Sequence, residues 1–113
     1  MIQWENGSKT DLKVLRAVSI VCRHHPHLLK FLFEPDRPRL RALPEELLKE
    51  AVGLSSGEDL LLRVSLDLWS GCGEARVWEL IELLDDRNLL QVVQALLFLR
   101  TKFDGWFGPV MRQ

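Results

Sequence analysis

The segment from Ser55 to Gly71 contains both ends of a helix and the helix between them, and similar start and stop signals on both sides make the chain read as a small all-helical domain. Ser55 and Glu58 have the S-x-x-E spacing of a capping box, in which each side chain satisfies a backbone N–H that the first turn leaves orphaned. Gly71 can take up the left-handed conformation that closes the other end. Leu60, Leu62, Val64, Leu66 and Leu68 do alternate with period two, as a strand would. The capping box, the leucine-rich content and the i,i+4 spacing of Arg63 and Asp67 decide for a helix over about 56–70. Its polar arc covers less than half of the helical wheel, so it is predicted to be largely buried.

Similar punctuation divides the rest. Thr10 caps a first helix running to about His24, with Val14, Leu15, Ala17, Val18, Val21 and Cys22 on one face. Pro26 stops it and opens a short second helix that offers Leu28, Leu29, Phe31, Leu32 and Phe33 for burial. Pro35 and Pro38 make residues 34–43 an extended connector. Pro44 begins a third helix, and Gly53 ends it. A fifth helix is expected over Glu74 to Leu84, with Val77, Leu80, Ile81 and Leu84 inward and Glu79 and Glu82 outward. Asp85 or Asp86 caps a sixth over about 87–103, whose wet side is marked by Gln91, Gln94, Thr101 and Lys102. The expected fold is all-α: a single-domain bundle of five to six helices spanning residues 1–113, with the 87–103 helix central. Residues 1–9 form an N-terminal arm, and residues 104–113 an aromatic tail.

Size and composition agree. A chain of 113 residues, 47% hydrophobic and 27% charged, can close one core without metals or disulfides. Two cysteines, Cys22 and Cys72, provide no disulfide framework and fit a reducing, cytoplasmic setting. Neither a basic, apolar leader nor a run of about 20 apolar residues is present, so no membrane role is expected. The net charge of −1 conceals a basic first third, where residues 9–41 carry eight Lys/Arg against three Asp/Glu, and an acidic middle, where residues 42–88 carry four against eleven. Such asymmetry suits charge matching within or between chains better than a uniform nucleic-acid coat.

No catalytic set is legible: no serine or cysteine stands in a nucleophile context, and the three histidines cluster in one corner. Leu54-Ser55-Ser56-Gly57-Glu58 resembles the signature loop of ABC and SMC-type ATPases. The likeness spans five residues and lacks an accompanying G-x-x-x-x-G-K-[ST], so no nucleotide chemistry is carried over. Surplus apolar character toward the C-terminus points instead to a non-enzymatic protein–protein interaction module. Phe98 interrupts the polar arc of the sixth helix, and Phe103, Trp106 and Phe107 follow it. Together they form the expected partner-binding surface, with a C2 homodimer as the default assembly and no cofactor. An alternative reading takes the basic ridge Lys9, Lys13, Arg16 and Arg23, with Arg37, Arg39 and Arg41 in the connector, as a nucleic-acid-binding accessory surface. A third takes Cys22, His24, His25 and His27 as a metal-binding corner, although their spacing matches no closed zinc pattern.

Overall fold

The computed structural model describes residues 9–101, which form α1 (Lys9–Val21), α2 (His27–Leu32), α3 (Pro44–Glu50), α4 (Ser56–Ser70), α5 (Val77–Leu83) and α6 (Asp86–Thr101). The all-helical class and the number of elements are as expected. The 56–70 segment is a helix. Ser55 Oγ accepts from the Glu58 N–H at 3.2 Å, and Glu58 Oε1 accepts from the Ser55 N–H at 3.2 Å. At the other end Gly71 sits at φ 75°, and its N–H reaches the carbonyls of Leu66 and Asp67. Its glutamate half alone opens the two short helices on either side of α4. Glu46 accepts from the Leu43 N–H at 3.3 Å, and Glu79 from the Arg76 N–H at 3.0 Å.

Burial is deepest in α4, where Leu60, Leu61, Leu62 and Leu66 are wholly enclosed and Ser65 nearly so. Three consecutive enclosed leucines mean that partners surround α4 rather than flank it. Helix α1 packs along it with Ala17, Val18, Val21 and Cys22, and α2 and α5 pack on its other sides. Helix α6 makes its main contact with α1, contributing Val92 and Ala95 to the core. The expected central place of the 87–103 helix therefore belongs to α4, with α6 on the outer side of α1. Core residues provide most of the stability, each enclosed leucine being worth about 1.5–3 kcal/mol.

Several boundaries differ from expectation, for physical reasons. Helix α1 includes Thr10 and ends at Val21, because Arg23 and His25 donate to carbonyls three residues back and tighten the chain ahead of Pro26. The connector closes on itself as a narrow loop, with Glu34 N–H donating to the Arg39 carbonyl and Arg41 N–H to that of Leu32, both at 2.9 Å. Helix α5 starts at Val77 rather than Glu74. The Asp67 carboxylate accepts the N–H groups of Gly73, Glu74 and Ala75 at 2.7, 2.9 and 2.9 Å, which holds those residues out of a helical turn. Asp67 is thus not the partner of Arg63. Arg63 pairs with Asp59 at 3.1 Å and grips Glu79 with both Nη atoms at 3.2 and 3.1 Å, pinning α5 to α4. Asp85 caps α6 by accepting from the Asn88 N–H at 2.9 Å.

Candidate interaction surface

Helix α6 is reversed relative to the expectation from its side chains. Gln91, assigned to the wet side, is turned inward and only 5% exposed, while Leu90, Val93 and Leu96 are 52%, 42% and 48% exposed. The geometry of the helix explains this. At 100° per residue, Val92, Ala95, Phe98 and Leu99 share the face toward α1, and Gln91 falls among them. Its Oε1 is buried without a hydrogen-bond partner among the described residues, as is Asn88 Oδ1 one turn earlier. The outer face of α6 is thus apolar while an amide is taken inside.

The outer face has a regular spacing. Asp86, Leu90, Val93, Leu97 and Arg100 step by four, three, four and three residues, the spacing of a coiled-coil seam. Leu96, also exposed, lies beside Val93, and the seam begins with an exposed acid and ends with an exposed base. Helix α5 adds a second outward apolar group. Val77, Trp78 and Ile81 are 74%, 65% and 56% exposed, so Val77 and Ile81 do not point inward as their spacing had implied. The Arg63–Glu79 grip fixes which side of α5 faces α4, and Val77 and Ile81 lie away from it.

Phe98 belongs to the other side of α6. It is half-buried, packs against the core, and lies beneath the Lys13 ammonium, 5.5 Å from the ring centroid. Phe103, Trp106 and Phe107 lie outside the described residues. The seam of α6 was missed in the sequence because almost every position of this helix is apolar, and the wheel alone does not say which side meets α1.

The basic residues separate. Arg16, Arg23 and Arg37 are exposed, and Lys9 lies where side chains are not described. Arg39 pairs with Glu34 at 3.3 Å. Arg41 pairs with Glu50 at 2.8 Å, donates to the Phe31 carbonyl at 2.7 Å and stacks over the Phe31 ring. Much of the connector's charge is therefore neutralised within the chain.

The histidine corner also separates. Cys22 is fully enclosed with its Sγ 3.5 Å from Ser65 Oγ, and burial pushes its thiol up to about 11. His24 Nδ1 accepts from Arg87 at 2.9 Å, which ties the corner to the start of α6. His25 and His27 both turn toward Glu58 Oε2, at 3.7 and 2.8 Å. A concavity of about 520 Å³ lies beside α1 and α2, lined by Leu12, Leu15, Leu29, Phe33 and the 34–38 loop. Neither histidine nor cysteine reaches it, and its Ser19 hydroxyl is committed to the Leu15 carbonyl at 2.9 Å.

No family model matches the chain, and neither a curated protein nor a solved structure does. Among the described residues, no helix is long and apolar enough to cross a membrane.

Proposed function

We propose that this chain is a small helical interaction module that self-associates by antiparallel pairing of α6 with α6 of a second copy. The observation that carries this reading is the seam Asp86–Leu90–Val93–Leu97–Arg100, apolar in its middle and oppositely charged at its ends. A two-fold axis through Val93 sets each Asp86 against Arg100 of the second copy, stacks Leu90 on Leu97, and opposes the helix dipoles. A parallel pairing would instead place like charges together at both ends. Helix α6 has 16 residues and is about 24 Å long, so one helix pair buries less than a standard interface and micromolar association is expected.

Sedimentation across a concentration series tests the assembly, and a cysteine placed on the axis tests its geometry. In a Cys72→Ser background, Val93→Cys is expected to form a disulfide-linked dimer under mild oxidation. Val52→Cys, on a residue 88% exposed elsewhere, is not. Asp86→Arg and Arg100→Asp should each weaken association, and the double exchange should restore it. A chain that stays monomeric at high micromolar concentration, or a Val93→Cys variant that links no better than Val52→Cys, refutes the pairing.

A further inference from the structure

The contact between the α1–α2 corner and the start of α4 gathers three metal-ligating side chains from distant parts of the chain. His25 and His27 flank Pro26 and both imidazoles face Glu58, with ring centroids 5.7 Å apart and planes at 78°. Glu58 approaches from the first turn of α4. Its Oε2 lies 2.8 Å from His27 Nε2 and 3.7 Å from His25 Nδ1, and the three donor atoms all fall within 4.8 Å of one another. Zinc bonds of about 2.0–2.2 Å to nitrogen and oxygen require donors slightly over 3 Å apart, so a small side-chain adjustment would close the set.

The carboxylate is held for that task by its other oxygen. Oε1 accepts from the Ser55 N–H at 3.2 Å and the Ser55 hydroxyl at 3.3 Å, which leaves Oε2 facing the histidines and orients it as an outer-shell partner orients a metal ligand. The Ser55 backbone N–H first, and His27 second, keep the Glu58 carboxyl below its usual range, so it is ionised at neutral pH. The histidines and Glu58 stand at the surface, with side-chain exposures of 25%, 55% and 23% in chain order, so an ion can enter and water can complete its coordination. This set differs from the corner expected from the sequence. Cys22 and His24 are engaged elsewhere, and the carboxylate, 31 residues beyond His27, had no signal near the histidines.

We propose that His25, His27 and Glu58 bind a divalent zinc-type ion as a two-histidine, one-carboxylate site with an open position, clasping the α1–α2 corner to α4. The test uses the full chain without a histidine tag, titrated with Zn²⁺ by calorimetry and with Co²⁺ by visible absorption. One equivalent of Zn²⁺ is expected to bind and to raise the unfolding temperature, and Co²⁺ should show the intense bands of a low-coordinate nitrogen and oxygen site. Glu58→Gln preserves the capping box, since glutamine serves at that position, yet removes the anionic ligand. It should weaken Zn²⁺ binding at least tenfold without unfolding the chain. His27→Ala should do likewise, and His24→Ala should bind as the parent does. Failure of the parent to bind one equivalent overturns the proposal, as does Glu58→Gln or His27→Ala binding with parental affinity, or loss of binding on His24→Ala alone.

Discussion

Three glycine-to-alanine substitutions along α4 and the turn after it should change stability with different signs and sizes. At Gly57, inside the first turn, an added Cβ meets only the Leu83 carbonyl oxygen at 3.7 Å, an ordinary contact. Gly57→Ala is therefore expected to stabilise by about 0.5–1 kcal/mol, the usual difference between the two residues in a helix. Gly71 adopts φ 75° with open space around it, so alanine meets only the left-handed backbone penalty of about 1–2 kcal/mol. Gly73 is different. A Cβ there would run into the Arg63 carbonyl oxygen and lie 2.7 Å from its carbon, both backbone atoms of α4. The turn must retreat by more than an ångström, and retreat draws the N–H groups of Gly73, Glu74 and Ala75 off the Asp67 carboxylate. Hydrogen bonds to a charged group contribute about 1.5–3 kcal/mol each, and Asp67 is half exposed to water, so the set is worth about 3 kcal/mol after solvent replacement. At about 4–8 °C per kcal/mol for a domain near this size, Gly73→Ala should lower the melting temperature by about 12–24 °C. Thermal unfolding followed by far-ultraviolet circular dichroism, at one fixed protein concentration, measures all three variants. A Gly73→Ala protein as stable as the parent, or one that ranks above Gly71→Ala, would refute the close approach of the turn to α4.

Gln91→Met should stabilise by about 1 kcal/mol, because it replaces a buried amide oxygen that has no partner among the described residues with an apolar chain of similar length; chemical denaturation measures it, and a loss of stability would mean that Oε1 is satisfied after all. The carboxyls of Glu58 and Glu79 are both held low, Glu58 chiefly by the Ser55 N–H and Glu79 chiefly by Arg63. A group whose folded value lies below its unfolded one adds stability that is fully present above the unfolded value and lost as the pH falls through the folded one. Stability should thus decline below about pH 5, and Glu58→Gln with Glu79→Gln should flatten that decline in unfolding curves recorded down to about pH 3. Thiol titration of the native chain at neutral pH should count Cys72 alone, since Cys72 is exposed while burial raises the Cys22 thiol to about 11, and adding denaturant should bring Cys22 into the count. Equal reactivity of both thiols under native conditions would place Cys22 outside the core.

Local signals were legible in the sequence to the extent that their causes are local. The capping box of Ser55 and Glu58, the stop at Gly71, the helix start at Pro44 and the cap at Asp85 each involve residues within a turn or two, and these act as read. The start of α5 was misread because its cause, the Asp67 carboxylate, sits on another helix. The orientation of α6 was misread because a helix apolar nearly all round has no amphipathic direction of its own, and its contact with α1 decides. Glu58 joins His25 and His27 only through tertiary folding, whereas close spacing along the chain groups the two histidines with Cys22 and His24. The dependence on nonlocal contact separates the legible features from the rest.

Helix α1 lies between α4 and α6, and this has a consequence for synthesis. The first of these helices to leave the ribosome must wait, with part of its apolar stripe uncovered, until the last has been translated. A nascent chain arrested before α6 has only half a shelter for that stripe. Such an intermediate would depend on chaperones or on rapid elongation, and stalled products would be prime substrates for proteolysis.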